Sequence, residues 1–318
     1  MPANILISSV GAKVPLIEAV RGDMRSTGQD GLLIGGDSSA NALGQHFCDR
    51  FLQLPSTNVG GDIRVLLQQL ENAGVTIVFP TRDGELPFYA YHREAFAAHD
   101  IQVMVSAPET IAVLQDKLKF AHALVERGFP ATPTALTVES LAGGFDRFVA
   151  KPRHGAGSRD VQLDLTFPEV RQLEQENCGL VFQPFIRGRE YSVDLYITQN
   201  GEPVGAVCRE RVMVQNGESQ VTVSSAMPEV EKLCLSAAQE LGIRGHAIFQ
   251  LIIDARGQIH IIECNGRFGG ASSLSHAMGL NSFAWFIDEV LGLGRPEFVR
   301  SRREKKLVRY KKDLITDL

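Results

Sequence analysis

The feature that most constrains the fold is a change of pattern near residue 116. Residues 3–105 alternate short apolar strands with helical patterns, whereas the rest of the chain places strands one after another with few helices between them. Alternation is typical of a parallel sheet covered by helices on both faces, and successive strands are typical of an α+β arrangement. The 318 residues suffice for two or three domains. We therefore predict an α/β Rossmann-like parallel sheet followed by an α+β region.

The apolar runs also place individual elements. Before residue 116 they predict strands at 5–7, 32–34, 51–52, 75–79 and 101–104 and helices at 13–25, 62–73 and 84–98. After it they predict helices at 117–127, 228–241, 272–278 and 281–291, and strands at 147–151, 160–164, 180–184, 190–198, 203–212, 250–254 and 258–265. Asn200-Gly201 favours a tight turn between two of these strands, and residues 215–219 are expected to be flexible.

Composition narrows the class of protein. Apolar residues make up 44% of the chain, as in ordinary globular proteins. The 32 basic residues are balanced by 37 acidic ones, so the net charge does not favour binding of nucleic acid or anionic lipid. Five cysteines without a C-x-x-C pair indicate neither a zinc cluster nor a disulfide framework. No apolar run reaches about 18 residues, and the N-terminus lacks the pattern of a signal peptide. We expect a cytoplasmic protein that acts on small molecules, with neither membrane nor nucleic acid as a partner; a homodimer is left open.

Two loops that contain glycine follow predicted strands. The first, residues 8–11, has one glycine where the dinucleotide-binding fingerprint requires three, which argues against a nicotinamide or flavin site. In the second, Gly155, Gly157 and Ser158 would let backbone N–H groups approach a polyphosphate, and Lys151 supplies charge at the end of the strand. A glycine hairpin with a solvated lysine explains the same residues, and no G-x-x-x-x-G-K-[ST] P-loop is present.

A connector after the strand at 180–184 has residues suited to a flat heterocycle. It runs from Gln183 through Phe185 and a Pro/Gly-containing segment to Glu190. Such a segment offers free backbone N–H and C=O groups, and a carboxylate can accept from ribose hydroxyls. An ordinary linker of the same composition is the alternative.

The strongest local signal is the strand pair formed by residues 250–254 and 258–265. A two-residue turn at 256–257 would place Gln250 opposite Glu263, and Asn265 would share the face of Glu263. Three oxygen donors then converge, which suits a divalent ion that also takes phosphate oxygens. Arg267 follows in a glycine-rich segment, where it could neutralise charge on a transferring phosphoryl group. The alternatives are an exposed polar hairpin end and a structural salt bridge.

In this order the motifs resemble those of the ATP-grasp superfamily, over nearly the whole chain. They are Asp116-Lys117, Ala150-Lys151-Pro152 with its glycine loop, the connector from Gln183 to Glu190, and Glu263-Cys264-Asn265-Gly266-Arg267. The glutamine at position 250 is similar to the first metal ligand of carbamoyl-phosphate-synthetase-like members. The family often has Asn-Pro-Arg where this chain has Asn265-Gly266-Arg267, which predicts a looser placement of Arg267.

The resemblance implies a cofactor set and a domain plan. The cofactors would be ATP and magnesium, with manganese as a substitute. The implied roles are Lys117 and Lys151 on the ATP phosphates, Gln183 and the Phe185 backbone on adenine, Glu190 on ribose, Gln250, Glu263 and Asn265 on the metal, Arg267 beside the reacting centre, and Arg211 as a phosphate or substrate ligand. The domains would be a pre-ATP-grasp domain at 1–115, a small lobe at 116–188, a large lobe at 189–295 and a basic tail at 296–318.

The leading hypothesis for function is an ATP-dependent ligase. It would activate a small carboxylate as an acyl phosphate for attack by an amine or similar nucleophile, which fits the lack of a Ser/His/Asp or Cys/His set. One alternative is a carbamate- or bicarbonate-phosphorylating enzyme of carbamoyl-phosphate-synthetase type. A second is an inactive nucleotide-binding regulator.

Two segments leave their roles open at this point. Arg82, Asp83 and Glu85 follow a strand whose carboxyl end should lie at the ligand-binding edge of its sheet, so they either hold a zwitterion or cap the next helix. The tail carries eight basic residues and one acid between Arg300 and Lys312. We expect a solvated tail that folds back on the acidic remainder, and truncation after Leu293 should then leave reaction rates within a few-fold.

Overall fold

The computed structural model describes residues 3–58, 60–141, 144–155, 157, 160–176 and 179–315, which form three sheets. Ser158 of the glycine loop and Cys178 lie outside the described residues. The α/β and α+β prediction is confirmed, because one sheet is parallel and the other two are antiparallel. The limits between the domains stay a prediction.

The first sheet is parallel and has the order β3-β2-β1-β4-β5. Its strands are β1 (Asn4–Ser8), β2 (Leu33–Asp37), β3 (Arg50–Gln53), β4 (Val75–Pro80) and β5 (Gln102–Val103). Its helices are α1 (Val14–Ser26), α2 (Ile63–Asn72), α3 (Leu86–Tyr91) and α4 (Arg93–Ala98), so the helix predicted at 84–98 is interrupted at His92. The central strands are almost wholly buried and rich in Val and Ile, as strands covered on both faces are.

The second sheet is small and antiparallel. It contains β6 (Phe148–Pro152), β7 (Gln162–Leu165) and β8 (Leu180–Pro184) in the order β7-β6-β8. The helices α5 (Pro108–Leu114) and α6 (Lys117–Glu126) precede it, and α7 (Phe167–Glu176) connects β7 to β8. The sequence patterns did not predict α5 or α7.

The third sheet has the order β13-β12-β9-β10-β11-β14. Its strands are β9 (Gly188–Ile197), β10 (Pro203–Gln215), β11 (Glu218–Ser224), β12 (Gly245–Asp254), β13 (Ile259–Asn265) and β14 (Lys306–Val308). Its helices are α8 (Pro228–Glu240), α9 (Ser272–Ala277) and α10 (Ser282–Leu291). In the segment 215–219, which was expected to be flexible, Asn216 and Gly217, with φ of 51° and 76°, form a tight turn between β10 and β11.

One hydrophobic core joins the first sheet to α10, which lies between β13 and β14 in the chain. Phe79 of β4 contacts two rings of α10, with centroids 5.0 Å from Phe283 and 5.7 Å from Phe286. The Asp83–Arg267 ion pair joins the segment after β4 to the segment after β13. Among the described residues, no helix is long and apolar enough to cross a bilayer.

The C-terminal tail folds back as predicted, but it does so as part of the fold. Val308 of β14 pairs with Val221 of β11, so the tail adds a strand to the third sheet. Phe298 packs against Trp285 with ring centroids 6.3 Å apart, and Arg300 lies 2.7 Å from the Glu231 carboxylate. A merely solvated tail is therefore the wrong description of residues 298–309.

We predict that truncation after Leu293 destabilises the protein, because it exposes the edge of β11 and removes the side chain of Phe298 from the core. The loss should be about 2–4 kcal/mol, seen as a lower melting temperature. Truncation after Tyr310 is the control, since it removes only exposed residues and the undescribed last three. Equal melting temperatures for the two truncated proteins would contradict the packing of this segment.

Candidate active site

The β12–β13 pair brings the three expected metal ligands to one cleft. Gln250 pairs with Glu263, as predicted, and both line this cleft together with Asn265. The turn, however, has three residues and ends at Gly257, whose φ is +80°. A turn of that length alone would place Glu263 opposite Phe249, but a bulge beside Gln250 shifts the register by one residue and restores the predicted pair.

The three side chains form a donor set that fits a magnesium ion shared with a phosphate. They offer oxygen atoms but only one formal negative charge, on Glu263, and Asn265 Nδ2 lies 3.4 Å from Glu263 Oε1. Magnesium is usually held by one or two carboxylates together with substrate phosphates rather than by an all-protein cage. Gln250, Glu263 and Asn265 could therefore hold this metal once a phosphate supplies the remaining ligands.

Two buried lysines face the Glu263 carboxylate. Lys117 begins α6 and donates from Nζ to the Gly155 carbonyl oxygen at 2.9 Å, whereas Lys151 lies in β6 and is 5% exposed. Burial lowers the pKa of Lys117 and brings the pKa of Lys151 down to about 8. The Glu263 charge acts in the opposite direction on both pKa values, so the three groups lie within electrostatic reach of each other.

The glycine loop is attached to α6 by an ion pair. Asp116 caps the helix by accepting from two backbone N–H groups, and it also accepts from Arg153 at 2.6 and 2.9 Å. Gly155 and Gly157 have φ of 116° and 79°, a region that favours glycine, so the loop needs both of them. The part of the prediction that concerns Ser158 lies outside the described residues.

Beside Lys151 lies a cleft of about 350 Å³ between β8 and the third sheet, which we call the connector cleft. Its lining combines apolar side chains with Lys151, Gln183 and Glu190. Gln183 Nε2 donates to Thr134 Oγ1 at 2.7 Å, which fixes the amide in the wall. The Phe185 N–H donates to the Arg147 carbonyl at 2.8 Å, so of the predicted Phe185 backbone contacts only the carbonyl oxygen remains available.

Arg267 is held firmly, contrary to the looser placement predicted from Gly266. Its Nε donates to Asp83 at 2.9 Å, its Nη2 also contacts this carboxylate, and its Nη1 donates to the Phe268 carbonyl at 2.8 Å. Gly266 is closely packed, because a Cβ there would lie 3.2 Å from Leu114 Cδ1. The guanidinium is thus fixed by an acid of the first sheet.

The acids after β4 have two different roles, neither of which is the predicted helix cap by Asp83. Asp83 pairs with Arg267. Glu85 is fully buried and accepts from the Thr81 and Arg82 N–H groups and from the Ser8 hydroxyl. Glu85 therefore fixes the edge of the sheet and is not available to a zwitterion.

The cleft that Gln250, Glu263 and Asn265 line has a volume of about 150 Å³, and we call it the arginine cleft. The guanidinium groups in its lining are those of Arg209, Arg211, Arg267 and Arg309. Arg211 Nη2 donates to the Gly217 carbonyl at 3.0 Å and its Nε lies 3.4 Å from the Glu190 carboxylate. Arg211 thus lines the cleft, and its role as a phosphate or substrate ligand stays a prediction.

Sequence reasoning missed Arg209, Ser192 and Arg309, all of which line the arginine cleft. Arg209 is fixed by the buried Asp194 at 2.6 Å, and the Arg209 and His246 charges beside Asp194 hold the pKa of that carboxyl well below its usual range. The alternation of β9 and β10 was the available signal, since Arg209 shares a face with Arg211. No sequence signal placed Arg309 there, and truncation after Leu293 would remove this part of the lining.

The arrangement of two antiparallel sheets around buried lysines and a carboxylate matches a known family. Residues 114–271 match the ATP-grasp domain, and residues 5–104 match the PylC-like N-terminal domain. The first match contains the predicted site from Lys117 to Arg267. The chain belongs to the ATP-grasp superfamily, as the resemblance predicted.

Solved structures of the same fold come from several ATP-grasp enzymes. Biotin carboxylase from Campylobacter jejuni, in complex with β,γ-ATP, has a TM-score of 0.73 at 17% identity, over 93% of this chain and 72% of its own. L-amino acid ligase from Bacillus licheniformis has a TM-score of 0.68 at 20% identity, and the match covers 91% of this chain and 74% of the ligase. N5-carboxyaminoimidazole synthetase from Staphylococcus aureus, complexed with ADP, has a TM-score of 0.72 at 16% identity, and the match covers 93% of this chain and 79% of the synthetase. At these identities the likeness shows the fold alone, and no curated protein sequence matches significantly.

We predict that nucleotide affinity falls with rising pH through Lys151. Because the pKa of Lys151 is about 8, its positive charge is present below that pH and is lost above it. The Glu263 charge raises this pKa, and the Lys117 charge lowers it. The affinity for a non-hydrolysable ATP analogue should be about tenfold weaker at pH 9 than at pH 7, as measured by calorimetry.

The Lys151→Arg variant is the matched control, since a guanidinium stays charged over this range. It should bind with a flat pH profile. A flat profile for the natural protein, or the same slope in Lys151→Met, would contradict the assignment.

Proposed function

We propose that this protein is an ATP-dependent ligase that activates a small carboxylate as an acyl phosphate for attack by an amine or similar nucleophile. The observation that carries the proposal is the convergence of two buried lysines on the Glu263 carboxylate, with the arginine cleft beside them. Buried cations in excess of acids are suited to a polyphosphate and to a carboxylate that must meet it.

The connector cleft would bind the nucleotide. Its apolar walls suit the faces of adenine, and Gln183 and the Phe185 carbonyl could contact the ring edge. Glu190 would accept from ribose, and Lys117 and Lys151 would bind the phosphates. Solved structures of similar fold include complexes with β,γ-ATP and with ADP and magnesium, which supports the same ligands here.

Gln250, Glu263 and Asn265 would hold the magnesium ion. When bound, the ion would supply positive charge next to the phosphate oxygens. Manganese has the same preference for oxygen ligands and is the natural substitute.

The arginines would act on the reacting groups. A substrate carboxylate oxygen attacks the γ-phosphorus, the bond to the β,γ-bridging oxygen breaks, and ADP leaves. A nucleophile then attacks the acyl carbon of this acyl phosphate. The bond between that carbon and the oxygen bridging it to phosphorus breaks, and phosphate leaves with the bridging oxygen. Arg267, fixed by Asp83, lies where it can orient the carboxylate, and Arg211 can neutralise the transferred group.

We expect ADP formation that depends on a carboxylate substrate. The assay measures ADP released from ATP and magnesium with each of the twenty amino acids, with simple carboxylates and with bicarbonate. Stimulation by one carboxylate together with an amine supports the proposal. Stimulation by bicarbonate alone would favour the carbamate- or bicarbonate-phosphorylating alternative, and nucleotide binding without any stimulation would favour the inactive regulator.

The Glu263→Gln variant should lose at least a hundredfold in kcat while it still folds and melts cooperatively, at a lower temperature because the two buried lysines lose a compensating charge. The change removes the only formal negative charge among the three metal-ligand candidates and the charge that compensates both lysines. Glu229→Gln, an exposed carboxylate in the first turn of α8, is the control and should keep full activity. Activity retained in Glu263→Gln would move the metal site elsewhere.

A further inference from the structure

The arginine cleft is lined by four arginines and by two acids, Glu218 and Glu263. Arg267, Arg209 and Arg211 also lie beside Asp83, Asp194 and Glu190, so Arg309 is the arginine whose acidic partner, Glu218, is the most exposed and compensates it least. A volume of about 150 Å³ is well below the roughly 300–1,000 Å³ typical of pockets for drug-sized ligands, so the ligand is small. The cleft is therefore suited to a small molecule with more than one negative charge.

Two buried donors in this cleft make no hydrogen bond to a described residue. They are the Ser192 hydroxyl, in a residue that is 1% exposed, and Nε of Arg211, whose side chain is 7% exposed and which has only the ion-pair contact with Glu190 at 3.4 Å. Buried polar groups are nearly always hydrogen-bonded, and an unsatisfied one costs about 1–3 kcal/mol. The donors thus indicate that a ligand with acceptor atoms completes the cleft.

Arg309 reaches the cleft from the C-terminal strand. Its backbone N–H donates to the Gln220 carbonyl and its Nε to the Ser219 carbonyl, both at 2.9 Å, which directs the side chain across β11. A Cβ at Gly270 would lie 2.4 Å from Arg309 Nη2, so glycine at this position admits the guanidinium to the cleft. Arg309 lies outside the matched ATP-grasp domain at 114–271.

The terminal nitrogens of Arg309 are available to a ligand. Neither donates a hydrogen bond to another described residue, and the nearest carboxylate, Glu218, lies 3.5 Å away and is 63% exposed. Such an exposed pair is worth little. A planar guanidinium with free N–H groups is suited to bidentate binding of a carboxylate.

We propose that Arg309 binds a second carboxylate of the substrate, so that the substrate is a small dicarboxylate or an acidic amino acid. This inference rests on the proposed ligase function. The reacting carboxylate must lie near Glu263 and Arg267, and Arg267 is held from the first sheet by Asp83. Arg309 is held instead by the third sheet, through the Ser219 and Gln220 carbonyl oxygens of β11. The two guanidinium groups are thus fixed by different parts of the fold, and each offers an anion site to one small molecule.

The test compares compounds that differ only in the second carboxylate. The pairs are L-glutamate with L-glutamine, L-aspartate with L-asparagine, and succinate with butyrate, each titrated calorimetrically in the presence of magnesium and a non-hydrolysable ATP analogue. We expect the acidic member of at least one pair to bind at least tenfold more tightly. In Arg309→Met this preference should fall to within about twofold, with the affinity for the nucleotide analogue unchanged.

The matched control is Arg303→Met, which removes an exposed arginine of the same tail and should keep the preference. Arg309→Lys keeps the charge and should restore part of it, and a melting curve for each variant shows that it is folded. The inference is overturned if no acidic member is preferred, or if the preference survives in Arg309→Met. Loss of nucleotide affinity in Arg309→Met would make it a phosphate ligand instead. Failure of the natural protein to bind the analogue would contradict the ligase proposal itself.

Discussion

The Glu263 carboxylate is the charge on which the arrangement of the site depends. Burial of Lys117 and Lys151 disfavours their charged forms, and Glu263 opposes that effect on the pKa of both. Removing a partner from buried charges of this kind usually costs several kcal/mol. Lys117 and Lys151 share this carboxylate, which leaves an excess of positive charge between them. This excess suits the site to the phosphates of the proposed reaction.

Aspartates from three parts of the fold fix the arginines of the site. Asp83, after the first sheet, holds Arg267; Asp116, at the start of α6, holds Arg153; and Asp194 of β9 holds Arg209. Each pair directs a guanidinium before any ligand arrives, so that binding needs little further ordering of these side chains. The pair formed by Asp83 also explains why a parallel sheet precedes the two antiparallel ones: it supplies one wall of the site.

The sequence predicted the site better than it predicted the connections. Motifs with side chains of definite chemistry, such as Lys117, Lys151 and the Gln250–Glu263 pair, were found because strand periodicity and family resemblance agree on them. The three-residue turn and the compensating bulge were missed, because a single bulge does not produce a recognisable change in the alternation of apolar and polar residues. Arg309 was missed for a different reason: it enters the site through strand pairing with β11, a long-range contact that a basic tail does not reveal.

Hydrogen–deuterium exchange with and without magnesium and a non-hydrolysable ATP analogue tests the central claim most directly. The claim is that a nucleotide binds between the second and third sheets, against Lys117, Lys151 and Glu263. The account predicts slower exchange on binding in β6 and the loop after it, in the β8–β9 connector and in β13. Protection confined to the loop after β1, at the edge of the parallel sheet, with none in those three segments, would contradict it.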